Sequence, residues 1–200
     1  MYCLDFIRTR LATHAPERIG TADARQAAVA VILRERGRDA EVLFIKRAEY
    51  AGDPWSGHMA FPGGHRDPGD PSLRAAAERE TLEEIGLDLE QCEYLGALER
   101  IRGIARGRTM DLYIEPHVFA MHGEHDLRAN YEVQEIVFSP LAPLVSNRCH
   151  DTETRPMAGE PSVFNGYRLP GGHFVWGLTY RMLKSLFAAL DPNWQPADES

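Results

Sequence analysis

Residues Gly64 to Leu87 read GHRDPGDPSLRAAAERETLEEIGL, a glycine turn, a short acidic loop and then a segment with helical spacing. Pro71 and Ser72 suit a helix start, and Gly86 suits its end. Leu73, Ala76, Ala77, Leu82 and Ile85 supply an apolar side. A helix turns about 100° per residue, so residues three and four apart share a face. Glu80, Glu83 and Glu84 therefore gather on one side, while Glu78 lies across the wheel and reads as solvent-exposed. Clustered carboxylates repel one another unless a cation sits among them. Hard oxygen donors of this kind suit Mg²⁺ or Mn²⁺, and such ions commonly also engage the phosphates of a substrate. The stretch points to metal-assisted phosphate chemistry.

Working outward, Ala27–Leu33 and Val42–Ile45 read as buried strands, and His58–Phe61 as a short extended piece entering the Pro62-Gly63-Gly64 turn. Glu93–Arg100, Met110–Met121, Glu132–Phe138 and Ser162–Leu169 read as further strands, with a turn over Gly103–Gly107. Pro140–Val145 suits a short helix and Phe174–Leu190 a C-terminal one. Residues 1–24 carry Leu4, Ile7 and Leu11 at helical spacing, then Pro16 and Gly20, and read as a helix and linker. Strands, one helix, more strands and a last helix fit a mixed sheet between helices, an α/β fold.

The segment from Phe61 to Leu87 resembles the signature of the Nudix hydrolases. Its ending, Arg79, Glu80, Thr81, Leu82, Glu83, Glu84, Ile85, Gly86, Leu87, matches closely. The front differs: Asp70 stands where the family usually has Glu, with one extra residue before Arg79. A similar lengthened loop, with Phe61-Pro62-Gly63-Gly64, Asp67 and Asp70, resembles the coenzyme A pyrophosphatase branch, as do Asn130–Leu141 and Trp176-Gly177-Leu178-Thr179. The resemblance implies an α/β/α sandwich over residues 25–200 with a catalytic acidic helix. It implies Glu80, Glu83 and Glu84 as metal ligands with the Gly64 carbonyl, and Arg79 as the arginine that orients the acids.

A further catalytic acid is expected from Glu132 or Glu135, with Glu132 matching the family position better. Asp67 and Asp70 read as outer ligands or as ordinary loop acids. For substrate binding the resemblance points to Arg47 and Gly63. Trp55 offers a flat face for a base or else covers the core edge. The branch usually carries a second arginine soon after Arg47, where this chain has Asp53-Pro54-Trp55. Arg102, Arg106 and Arg108 suit either a phosphate contact or a solvated hairpin tip. The histidines, among them His58, His65 and His117, lack the spacing of a zinc site.

The net charge of −8 disfavours a nucleic-acid surface. No apolar run approaches membrane-spanning length, and no secretory leader pattern opens the chain. Three widely spaced cysteines, Cys3, Cys92 and Cys149, suit free thiols in a reducing cytoplasm. The expected activity is metal-dependent hydrolysis of a diphosphate in a small nucleotide, favouring coenzyme A or an acyl derivative. The expected products are adenosine 3′,5′-bisphosphate and 4′-phosphopantetheine. ADP-ribose or a dinucleotide polyphosphate is the alternative, and a non-catalytic binding module a third reading. Such domains often pair, so a homodimer is an expectation as well.

Overall fold

The computed structural model describes residues 2–17, 19, 24–50, 56–105, 108–157 and 160–199. Helix α1 (Leu4–Leu11) precedes a long hairpin, β1 (Arg25–Arg36) and β2 (Asp39–Arg47). Two short strands follow, β3 (Met59–Ala60) and β4 (Gly63–His65), and then helix α2 (Leu73–Ile85). Strands β5 (Glu93–Ala97), β6 (Ile101–Ala105), β7 (Arg108–Met121) and β8 (Val133–Pro140) complete one sheet. Beyond them lie α3 (Leu141–Val145), β9 (His150–Met157), β10 (Glu160–Arg168), β11 (Phe174–Trp176) and α4 (Gly177–Leu190).

The large sheet is mixed. Its path runs β3-β2-β1-β7-β5, with β4 added to β1, β6 to β7 and β8 to β2. β1 and β7 run parallel from Arg25↔Leu112 to Arg34↔Met121, and the other pairs are antiparallel. A strand between two covered faces carries apolar side chains on both, and β1 does. Ala28, Ala30 and Ile32 join the α2 layer, whereas Ala27, Val31 and Leu33 join the layer built by α1 and α4. The result is a helix–sheet–helix sandwich. No helix among the described residues is long and apolar enough to cross a membrane.

α2 is set by its own ends. Ser72 Oγ accepts from Ala75 N–H at 3.0 Å and so satisfies one orphan donor of the first turn. Gly86 stops the helix at φ +69°, a left-handed conformation that suits glycine. The buried stripe is Leu73, Ala76, Ala77, Thr81, Glu84 and Ile85. The two alanines let the helix lie close to β1 and β4.

Four local readings are corrected. Leu82 does not join the apolar side; it is 52% exposed, and Glu84 takes the buried position. The turn expected over Gly103–Gly107 is overtaken at Gly103–Ala105, which belong to the strand Ile101–Ala105 against β7, while residues 106–107 lie outside the described residues. The last helix begins at Gly177 rather than Phe174, since Phe174–Trp176 pairs with β10. β9 and β10 form an antiparallel hairpin that, with β11, makes a second sheet, of which only the β10 segment was expected.

Candidate functional site

The acidic helix meets the glycine turn through backbone geometry. β4 pairs with β1 at Val29↔Gly63 and Ala28↔Gly64. Gly63 sits at φ +146°, and a Cβ there would stand 2.3 Å from the Ala28 carbonyl oxygen. Only glycine fits this approach. Its N–H donates to Glu84 Oε2 at 2.9 Å. At Gly64 a Cβ would lie 2.5 Å from Glu80 Oε1, so the second glycine makes room for the Glu80 carboxylate.

Glu84 is 2% exposed. Burial pushes its carboxyl up to about 7, the neighbouring charges of Glu80 and Glu132 push the same way, and the Gly63 N–H and the positive charge of Arg47 oppose them. Burial also raises Glu80; Arg79 pulls it back, while Glu83 and Glu132 add to the rise. This corner of the molecule therefore holds more negative charge than its cations offset.

Arg79 is the hub. Its Nε and Nη2 donate to the two oxygens of Asp70 at 3.1 and 3.0 Å, a bidentate fork. Nη1 donates to Glu80 at 2.9 Å and to Glu83 at 3.4 Å, and Nη2 also reaches the His65 carbonyl at 3.1 Å. Asp70 is buried and accepts in addition from Asp67 N–H at 2.8 Å. The Arg79 guanidinium holds the Asp70 carboxyl below its ordinary value. Asp70 is thus the counter-ion that aims Arg79, a role its loop position did not suggest, and Asp67 stays exposed at the rim. Glu78, expected in solvent, is half-buried and accepts from Arg74 Nε at 2.7 Å.

Glu132 arrives by an indirect route. The last carbonyls of α2 lack helical donors, and the following loop supplies them: Arg128 N–H donates to Ile85 O at 2.8 Å and Asn130 N–H to Glu84 O at 2.9 Å. Asn130 Oδ1 then accepts from Glu132 N–H at 2.8 Å, and Ala48 N–H donates to the Glu132 carbonyl at 2.8 Å. The Glu132 carboxylate is close enough to Glu80 and Glu84 to raise both, and it raises the adjacent Tyr131 phenol as well. Glu135 points elsewhere; it is exposed and lies 3.4 Å from His173 Nε2.

The site gathers Arg79, Glu80, Glu83, Glu84, Glu132, Gly63, Gly64 and Arg47, with Arg47 at the end of β2. Among the described residues no three acidic, histidine or cysteine side chains already close on one point at ligand distance. Glu80 and Glu83 turn to Arg79, and Glu84 turns to the Gly63 N–H. The three carboxylates thus share one corner, Glu80 and Glu83 on the same Arg79 nitrogen and Glu84 on the Gly63 N–H.

Trp55 lies outside the described residues, as does Arg106. Arg102 Nε donates to Met110 O at 3.3 Å, across its own hairpin. Of the histidines, His65 is exposed, His117 is buried with Nδ1 3.1 Å from the Tyr94 hydroxyl, and His58 packs on Trp176.

The NUDIX domain family model matches residues 24–156. An uncharacterised protein of Schizosaccharomyces pombe is 41% identical over 112 residues, which are 54% of this chain but only 34% of that protein. The chain thus aligns with about a third of that relative's length. The uncharacterised Nudix hydrolase NudL of Citrobacter koseri is 29% identical over 168 residues, 83% of each chain. Among solved structures, a C. elegans Ap4A hydrolase binary complex superposes with a TM-score of 0.51 at 25% identity, covering 61% of this chain and 84% of that one. A MutT/nudix family protein from Enterococcus faecalis superposes at 0.54 with 20% identity, covering 90% and 66%, and shares the fold.

Proposed function

The chain belongs to the NUDIX family, and from that membership we propose that it is a metal-dependent pyrophosphatase acting on a diphosphate linkage in a small nucleotide. The observation that carries this reading is the Glu84 carboxylate, buried on the stripe of α2, held by one backbone N–H and pressed by Glu80 and Glu132. A carboxylate in that setting is stabilised in its charged form by an added cation.

The donors suit Mg²⁺ or Mn²⁺. Glu80, Glu83, Glu84 and Glu132 offer only hard oxygens, and the Gly64 carbonyl adds another. Such an ion, when bound, lowers the pKa of water and offsets charge on diphosphate oxygens. The chain's own residues do the rest. Asp70 fixes Arg79, and Arg79 sets the Glu80 and Glu83 carboxylates. Arg47 places positive charge beside Glu84, where a diphosphate needs it. Gly63 and Gly64 keep the approach narrow. As the base that takes a proton from water we favour Glu132 over Glu135, because its charge bears on Glu80 and Glu84; Glu80 is the other candidate.

The favoured substrate is coenzyme A or an acyl derivative, on the strength of the Phe61–Gly64 turn, the lengthened Asp67–Asp70 loop and Trp176–Thr179. The likeness to an Ap4A hydrolase supports a second reading, a dinucleotide polyphosphate, with ADP-ribose the other nucleotide in that alternative. The three free cysteines suit a cytoplasmic setting. Turnover of coenzyme A, ADP-ribose and diadenosine tetraphosphate with Mg²⁺ or Mn²⁺ tests both. Cleavage of coenzyme A to adenosine 3′,5′-bisphosphate and 4′-phosphopantetheine is expected. An inert coenzyme A beside a cleaved ADP-ribose selects the second reading, and no cleavage of any of the three defeats both.

A further inference from the structure

The second sheet presents an aromatic shelf that the carboxylate site does not use. On its outer face Trp176 stands opposite Gly166 in register. The Trp176 ring lies 4.5 Å from Phe164 and 4.7 Å from His58, centroid to centroid. Arg155 stacks over Trp176 at 5.1 Å and is anchored by Glu153 at 2.7 Å. Gly166 is required here, because a Cβ would stand 2.7 Å from the Phe174 ring that floors the patch. Trp176, Phe164, His58 and Arg155 are all half-buried, so each leaves part of its surface accessible. The Trp176 indole N–H is buried without an acceptor among the described residues.

The shelf borders the carboxylates. His58 lies two residues before Ala60, which faces the α2 layer, and alternation puts His58 on that side. Its carbonyl accepts from Arg47 N–H at 3.0 Å, and Arg47 is the cation that acts on Glu84. β11 packs on β3, which leads straight into Gly63, and Thr179 Oγ1 pins the Met59 carbonyl at 3.0 Å. His173, just before β11, reaches Glu135 on β8 at 3.4 Å. Two of the four shelf residues, Phe164 and Trp176, lie beyond the residues that the family model matches.

We propose that His58, Phe164, Trp176 and Arg155 form the subsite for the nucleobase of the substrate, a planar nitrogen heterocycle stacked on the aromatic rims while its diphosphate reaches Arg47 and the acidic helix. Planar π-systems stack on aromatic side chains with little regard to base identity. A guanidinium beside the ring stacks in the same way and donates to a base carbonyl or ring nitrogen. The inference rests on the pyrophosphatase reading, and its test separates the two.

Trp176→Phe assigns the Trp176 indole resonance in the NMR spectrum of the full chain. Titration of wild-type protein with AMP is expected to shift that resonance, and ribose 5-phosphate to leave it in place. Equal responses to the two, or none to AMP at millimolar concentration, overturn the proposal. In turnover of the cleaved nucleotide, Trp176→Ala raises KM about tenfold with kcat within about twofold, and Trp176→Phe restores KM. An unchanged KM in Trp176→Ala overturns it too. The titration needs no turnover, so an inert protein that binds AMP here sustains the shelf while defeating the hydrolase reading. An active protein indifferent to Trp176 does the reverse.

Discussion

The Gly63 N–H and the Glu84 Oε2, 21 residues apart in the chain, meet at 2.9 Å. This bond ties the helix to the glycine turn at the most buried carboxylate of the site. Glu84→Gln keeps an acceptor oxygen for the bond and removes the charge. We expect kcat to fall at least about a hundredfold, on the order of 3 kcal/mol of transition-state stabilisation. Because burial raises the wild-type carboxyl from 4.5 to about 7, the folded state loses stability as pH rises from the unfolded to the folded value, and the whole penalty is present above about pH 7. In the presence of chelator at pH 8, the glutamine variant therefore melts higher than wild type. Equal rates, or a lower melting temperature in chelator, contradict this account.

The two glycines separate stability from activity. Gly63→Ala drives a methyl into the Ala28 carbonyl at an unfavourable φ and should cost about 3 kcal/mol in urea unfolding. Gly64→Ala meets only the far end of the Glu80 side chain. That flexible side chain can swing aside by giving up its bond to Arg79, so the melting temperature should change little while kcat drops by about tenfold or more.

Asp70 and Arg79 predict an acid-side signature. The folded Asp70 carboxyl lies below its unfolded value because Arg79 bonds it. Its contribution is therefore complete above about pH 4 and fades as pH falls through the lowered native value. Asp70→Asn should lose about 2 kcal/mol at pH 7, and its stability should vary less than that of wild type below pH 4. Urea midpoints from pH 2 to pH 7 provide the comparison, and parallel curves would remove the pair from the stability balance.

Ser72→Ala tests the helix start in isolation. It deletes the acceptor for Ala75 N–H and should cost about 1 kcal/mol. Activity below the melting transition should be unchanged, since Ser72 lies more than a full turn before Arg79.

Much of this was legible in the residues because local chemistry agreed with the fold. Ser72 and Gly86 bound α2 as cap and stop. The unbroken apolar run Ala27–Leu33 announced a buried strand, and its two faces prove to be covered by different helix layers. The errors share a cause, which is that tertiary partners outvoted local pattern. Leu82 has helical spacing, yet the sheet and the glycine turn lie on the side where Glu84 points. β9 reads HDTETRPM, and no hydrophobic period marks a strand whose Thr152, Thr154 and Pro156 are exposed while its half-buried Glu153 and Arg155 are charged. Gly103 suggests a turn, but β7 continues far enough to pair across it. The fork from Arg79 to Asp70 spans nine residues and a proline loop, a separation that carries no periodic signal. The bonds from residues 128 and 130 to the end of α2 are equally silent in the sequence.

Those two bonds have an evolutionary corollary. The segment from His122 to Leu127 runs between the end of β7 and the point where residue 128 is fastened to α2. Length added or removed there is absorbed before the chain reaches its anchor, so the spacing of Glu132 from Glu84 is insulated from it. A hypothetical Cβ on Gly123 touches nothing within 4 Å. Splicing a few glycine and serine residues in at that position should leave catalysis intact, making this the place where descendants of the fold are free to diverge in size.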